Sequence, residues 1–154
     1  MVQNPVYLRY IMKKQTKIVR TNMLKEELVN KVEQLCADLK MEGDLRHPNL
    51  AKYRSYTFSV GKKYIKIISA DTFNVSAGGC ESQSVWGFVN INEFVKERKM
   101  ANGIKKVTFK EGDVLLAAGW NTPALNTPRG NILGNYAIDG SNQYGPSYTF
   151  RESN

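Results

Sequence analysis

Two runs of residues with alternating side-chain character, 53–60 and 63–70, lie on either side of Gly61-Lys62. Alternation with a period of two is typical of β-strands, and glycine in the first position of a two-residue connection favours a type II′ turn. The runs therefore predict an antiparallel hairpin in which the numbers of paired residues sum to 123. A slip of one residue would mix its two faces, so the pattern constrains the fold strongly.

The two faces of this hairpin differ in chemistry. One face is apolar and is expected in the core; its pairs are Phe58 with Ile65, Tyr56 with Ile67 and, at the tip, Val60 with Lys63. The other face combines hydroxyl groups, aromatic rings and cations; its pairs are Ser59 with Tyr64, Thr57 with Lys66, Ser55 with Ile68 and Tyr53 with Ala70. This second face is a candidate binding surface.

A helix is predicted from Thr21 or Asn22, which are good capping residues, to a stop at Gly43. Apolar side chains recur along it at spacings of three and four, as on the buried side of an amphipathic helix. These side chains are Met23, Leu24, Leu28, Val32, Leu35, Cys36 and Leu39. Cys36 is therefore expected to be a core residue rather than a nucleophile.

The remainder of the chain reads mainly as strands and loops. Residues 84–91 are apolar on both faces and predict a central strand. Residues 93–100 predict a short helix that Asn92 caps and Asn102-Gly103 ends. Residues 104–109 and 113–118 predict strands joined as a second hairpin at Glu111-Gly112, and 121–154 are rich in loop residues. The predicted fold is α+β, an antiparallel sheet of about five strands with one long N-terminal helix packed on one face.

Composition narrows the function classes. The 154 residues suit a single domain, and the net charge of +8 favours a polyanionic partner. No apolar run is long enough for a membrane span, and the N-terminus lacks the apolar core of a signal peptide. His47 is the only histidine and the two cysteines are far apart, so we expect no metal centre, no cofactor and reduced thiols. No enzyme signature is present, and a non-enzymatic protein is predicted.

The positive charge is concentrated in two segments. Residues 1–20 and residues 51–70 each carry five basic residues and no acid, whereas 21–50, 71–110 and 111–154 carry −2, +2 and −2. Adjacent cations are what neutralisation of adjacent phosphates requires. The candidate nucleic-acid-binding residues are Lys13, Lys14, Lys17, Arg20, Lys52, Tyr53, Arg54, Lys62, Lys63, Tyr64, Lys66 and Arg129.

Cations mixed with exposed aromatic rings are typical of single-strand binders, on which bases stack. A reader of duplex grooves would normally show a basic helix, and the predicted helix is mixed in charge. Single-stranded nucleic acid is therefore the predicted partner, with RNA favoured over DNA. Tyrosines that alternate with polar residues are also ordinary in edge strands, and basic residues also decorate solvated faces.

Arg129-Gly130-Asn131 lies in the long C-terminal segment, after Trp120. Arg129 could engage a phosphate with its planar guanidinium beside the Gly130 amide, or it could hold loop carbonyls while Trp120 fills the core. An alternative function is therefore a nucleotide pocket, with or without catalysis, at Trp120, Arg129 and Asn131. A third hypothesis is an inhibitor of an acidic host protein, and self-association is left open.

Two segments, SVWGFVN (84–90) and GDVLLAAGWNTPALNTPRGNIL (112–133), resemble a loosely defined family of small tailed-bacteriophage proteins. Two departures are Leu116, where the family has Lys, and the charged segment 92–110, which is an insertion. The chain is also similar in size and charge to early proteins of nucleus-forming large phages that are associated with phage messenger RNA. The resemblance implies a phage protein of the host cytoplasm. The matching residues are Ser84, Val85, Phe88, Val89, Gly112, Asp113, Val114, Ala117, Ala118, Trp120, Pro123, Ala124, Arg129, Gly130, Asn131 and Ile132.

Overall fold

A computed structural model describes residues 25–134, 136–138 and 142–147. Helix α1 spans Glu26–Arg46, so the predicted helix is confirmed, although it continues through Gly43. The predicted start is wrong: the helix begins at Glu26, after an extended Lys25 in the N-cap position, and not at Thr21 or Asn22, which lie outside the described residues. The stripe of buried residues matches the predicted one over the described part and also includes Val29; its members are Leu28, Val29, Val32, Leu35, Cys36 and Leu39.

Among the described residues, six strands form an antiparallel sheet and two more form a separate ribbon. The sheet order is β1-β2-β3-β6-β7, with β8 also paired to β6. These strands are β1 (Arg54–Val60), β2 (Tyr64–Asp71), β3 (Ser82–Asn90), β6 (Asp113–Gly119), β7 (Thr122–Pro123) and β8 (Gly130–Asn131). The ribbon is β4 (Phe94–Met100) with β5 (Gly103–Phe109). The α+β prediction is confirmed, with α1 packed against one face of the sheet.

The β1–β2 hairpin forms with the predicted faces but with a different register. Phe58 pairs with Ile67 and Val60 with Ile65, so the paired numbers sum to 125 and the predicted pairs are wrong by two residues. The amide of Gly61 donates to the Tyr64 carbonyl at 2.8 Å, and Lys62-Lys63 forms the turn in place of Gly61-Lys62. Because side chains alternate with a period of two, a shift of two keeps Ile65 and Ile67 in the core and Tyr64 and Lys66 on the outer face, as predicted. Two predicted strand residues lie outside the strands: Tyr53 ends a short 3-10 helix and Lys63 is in the turn.

The segment predicted as a short helix is strand β4. The predicted β5–β6 hairpin is also wrong, because β5 pairs with β4 and β6 pairs with β3. The side chain of Asn90 provides a physical reason. Its Nδ2 donates to the carbonyl oxygens of Asn92, Phe109 and Lys110 at 2.9, 3.2 and 3.0 Å, and so it ties the start of β4 to the end of β5.

Two apolar clusters lie on opposite faces of the sheet. The larger joins the buried stripe of α1 to the inner face of the sheet, where Ile65, Ile67, Trp86, Val89 and Val114 are buried. The smaller lies on the outer face and comprises Phe88, Phe109 and Leu115, with Tyr64, Val85, Phe94, Val107, Ala117 and Leu125 packed against it. The outer face of the sheet is therefore partly covered by the base of the β4–β5 ribbon.

Candidate nucleic-acid interface

The candidate residues of the two basic segments do not come together on one surface of the described structure. Lys13, Lys14, Lys17 and Arg20 lie outside the described residues. Lys52, Tyr53 and Arg54 lie where β1 begins, whereas Lys62 and Lys63 lie at the turn where it ends. A seven-residue strand separates the two groups by about 20 Å. The second basic segment is thus divided between opposite ends of the hairpin.

At the open end of the hairpin, cationic groups contact neighbouring side chains. The Lys52 ammonium lies 5.1 Å from the centroid of the Tyr53 ring, and that ring packs edge-on against Phe73 at 5.1 Å. Arg54 Nε lies 3.6 Å from Asp71 Oδ2 and lines a polar cleft of about 240 Å³. Part of the positive charge at this end is therefore compensated within the protein.

The outer face of β2 is packed rather than open. The half-buried ring of Tyr64 is edge-on to Phe88 and Phe94, with centroids at 6.1 and 6.5 Å, and burial raises the pKa of its hydroxyl. Lys66 Nζ lies 4.7 Å from the centroid of the Trp120 ring and donates to Asn121 Oδ1 at 2.6 Å. The β6–β7 turn therefore lies over Lys66. The ring of Tyr64 exposes less surface for base stacking than the sequence predicts.

The ribbon of β4 and β5, which we call the arm (94–109), is the most exposed basic element described. Every residue from 95 to 106 is exposed. The arm carries one acid, Glu97, and five basic residues, so its net charge is +4; the basic residues are Lys96, Arg98, Lys99, Lys105 and Lys106. Sequence reasoning missed it because the 71–110 window also contains Asp71, Glu81 and Glu93.

The base of the arm is firmly attached to the domain. Phe94 and Phe109 stack with centroids 4.9 Å apart and an interplanar angle of 16°, and Phe109 is fully buried. At the same base, the Asn90 side chain donates to carbonyl oxygens next to the start of β4 and at the end of β5, as described above. The Ile91 amide donates to the Lys63 carbonyl at 3.0 Å, so the Lys62-Lys63 turn lies beside the segment that leads into the arm. We take the arm and this turn together as one candidate surface, the basic surface.

The Arg129-Gly130-Asn131 step serves the packing of β6 and β8. The Arg129 amide donates to the Val114 carbonyl at 2.7 Å, and its half-buried side chain has a buried Nε. Asn131 Nδ2 donates to the Glu111 carbonyl and to Asp113 Oδ1, at 2.8 and 2.9 Å. Asn131 Oδ1 accepts from the Leu133 amide at 2.8 Å. The nucleotide-pocket hypothesis thus relies on an asparagine whose polar atoms already have partners.

We call the hydrogen-bonded residues 110–113 and 131–133 the clamp. Its packing explains why residue 112 is a glycine. Its φ is +85°, and an added Cβ would lie 2.9 Å from both Asn131 Oδ1 and Leu133 Cγ. Asp113 Oδ2 accepts from the Lys110 amide at 2.7 Å, and the Ile132 amide donates to the Gly112 carbonyl at 2.9 Å. Gly112, Asp113 and Asn131 therefore have a structural role in the β6–β8 region.

Across the residues that the structure describes, no helix is long and apolar enough to span a membrane. No cluster of three or more potential metal ligands occurs in the same part of the chain. No protein-family model, curated protein or solved structure matches the chain.

Proposed function

We propose that the protein binds nucleic acid through the basic surface, the arm together with the Lys62-Lys63 turn. The observation that carries this proposal is the position of five cations on an element that is exposed along its whole length beyond the base. An exposed ribbon with a net charge of +4 has little to gain for folding from its cations, which repel one another. Phosphate groups would remove that repulsion and release counterions.

Charge pairing along the arm supports this assignment. Arg98 lies directly opposite Lys105, and Lys99 lies opposite Ile104. Like charges that face each other across two strands destabilise the pair. Glu97 lies opposite Lys106, but their closest N···O distance is 3.9 Å and both side chains are mostly exposed, so this pair offsets little of the charge. The arm therefore keeps its cations available for a partner.

The preference for single-stranded RNA stays a prediction from the sequence. Its stacking component depends on Tyr53 and Tyr64, and both rings are half-buried against other aromatic rings. The electrostatic part of the predicted binding depends on cations, which the arm supplies. The proposal of nucleic-acid binding thus stands on charge and exposure rather than on base stacking.

Two double variants that remove equal charge test the proposal. Arg98→Ala with Lys105→Ala removes two cations from the arm, and Lys25→Ala with Lys31→Ala removes two from exposed positions on or beside α1. Fluorescence anisotropy with labelled single- and double-stranded oligonucleotides is measured across a salt series. We expect the arm variant to reduce the slope of log K against log salt by about 2. The α1 variant should match the wild type, and equal losses in both variants would refute the proposal.

A further inference from the structure

The shape of the arm points to a more specific partner than its charge does. The two strands pair over seven positions without a bulge, from Phe94–Phe109 to Met100–Gly103, and a two-residue turn closes them. Six residues of β4 extend beyond the anchored base, which corresponds to about 20 Å. The major groove of B-DNA is about 12 Å wide and admits a two-stranded β-ribbon of this kind.

The cations of the arm lie on both of its faces. Because paired residues share a face, Lys96, Arg98 and Lys105 lie on one face. Lys99 and Lys106 lie on the other face, together with Glu97. A ribbon that lies flat on a nucleic acid needs cations on one face only. A ribbon inserted in a groove has a phosphate backbone on each side, and cations on both faces suit that arrangement.

The distal half of the arm also presents apolar side chains to solvent. Met100 is 51% exposed next to the turn, and Ile104, one pair further from it, is 62% exposed. Neither side chain contributes to the two apolar clusters of the fold. Apolar side chains contact the thymine methyl groups that line the major groove. An arm that contacted only phosphates would have no use for them.

We propose that the arm binds double-stranded DNA by inserting its tip into the major groove, where Met100 and Ile104, which lie beside the turn on opposite faces of the ribbon, reach the base edges. This inference rests on the proposed nucleic-acid-binding function and specifies its partner. A-form RNA has a deep and narrow major groove that excludes such a ribbon, so duplex RNA is a poor partner. The mixed charge of α1 does not argue against duplex binding, because the ribbon takes the place of a basic helix.

The test compares three probes of one sequence: a labelled B-form DNA duplex, its single strand, and the matching RNA duplex. We expect the full-length protein to bind the DNA duplex at least about tenfold more tightly than either of the other probes. Met100→Ser with Ile104→Ser, which keeps all charges, should remove most of that preference and leave the salt slope unchanged. Val95→Ser, at an exposed position near the base of the arm, is the matched control and should keep the preference.

The outcomes separate the two proposals. Binding of the single strand or the RNA duplex as tightly as the DNA duplex, lost in the Arg98→Ala/Lys105→Ala variant, would overturn groove insertion and leave nucleic-acid binding intact. No binding of any probe at low salt would overturn both. A preference for duplex DNA that survives Met100→Ser/Ile104→Ser would contradict the contact of these two side chains with the base edges.

Discussion

At the scale of single residues, Asn131 shows how a loop motif acquires a structural role. Its side-chain amide links the carbonyl of Glu111, the carboxylate of Asp113 and the amide of Leu133. These three groups flank the Gly112 turn and the β6–β8 pairing. Loss of partners for buried or half-buried polar groups destabilises a fold more than loss of a single exposed hydrogen bond.

Asn131→Ala should therefore lower the free energy of unfolding by about 1–3 kcal/mol. Urea denaturation followed by circular dichroism measures the change. Asn121→Ala is the control because Asn121 is exposed and the hydrogen bond that its side chain accepts from Lys66 is also exposed; this variant should stay within about 0.5 kcal/mol of the wild type. Equal stability of Asn131→Ala and the wild type would show that the clamp does not hold the β6–β8 region.

The two cysteines differ in reactivity for a physical reason. Cys36 is 8% exposed on the buried stripe of α1, and burial, with a smaller contribution from Glu33, raises the pKa of its thiol to about 12. Cys80 is exposed in the β2–β3 loop. Only the thiolate reacts with alkylating reagents, so the folded protein at pH 8 should add one iodoacetamide group, on Cys80. Peptide mass spectrometry identifies the site, and prompt modification of Cys36 would contradict its burial.

The raised pKa of Cys36 also determines how the free energy of unfolding changes with pH. The folded pKa of Cys36 lies above the ordinary value of 9.0, so its contribution to stability is fully present below pH 9 and is lost as the pH rises toward 12. The wild type should lose more unfolding free energy than Cys36→Ala between pH 8 and 11. Parallel loss in the two proteins, measured by urea denaturation, would show that Cys36 does not contribute.

At the scale of elements, the sequence predicts which face of a strand a residue occupies better than it predicts the register between strands. Alternation placed Phe58, Ile65 and Ile67 in the core and Tyr64 on the other face, as the structure has them. It did not determine the register, which depends on the turn, and the turn is Lys62-Lys63 instead of Gly61-Lys62. Strand β4 was missed because FVKERKM has no alternation of apolar and polar side chains. A strand in an exposed ribbon does not need such alternation, because neither of its faces is buried. Strand β4 is held instead by its pairing with β5 and by the hydrogen bonds from Asn90.

The arm should be separable from the fold. Replacement of residues 97–106 by Asn-Gly joins Lys96 to Val107, which are already paired, and retains Phe94, Val107 and Phe109 at the base. Because the removed residues are all exposed, the melting temperature should change by no more than about 5 °C. Thermal unfolding followed by circular dichroism measures it. Collapse of the fold would show that the arm contributes to the core.

At the scale of the whole molecule, total charge was less informative than its position. The predicted N-terminal basic segment lies outside the described residues, and the second is split between the two ends of one hairpin. The arm carries +4, but three acids and Lys110 in the rest of the 71–110 window bring the net charge of that window to +2. The pairing of β4 with β5 across a two-residue turn separates these cations from those acids, and β4 lacks the alternation that would have predicted the pairing.

The most direct test of the central claim is DNA binding by the shortened-arm protein, in which Asn-Gly replaces 97–106. Anisotropy with a labelled B-form duplex is measured across a salt series for this variant and the wild type. We predict that the wild type binds with a steep salt dependence and that the shortened protein, still folded, loses at least about tenfold in affinity at low salt, with a shallower slope. Equal affinity and equal slope for the two folded proteins would contradict the assignment of the arm as the nucleic-acid-binding element.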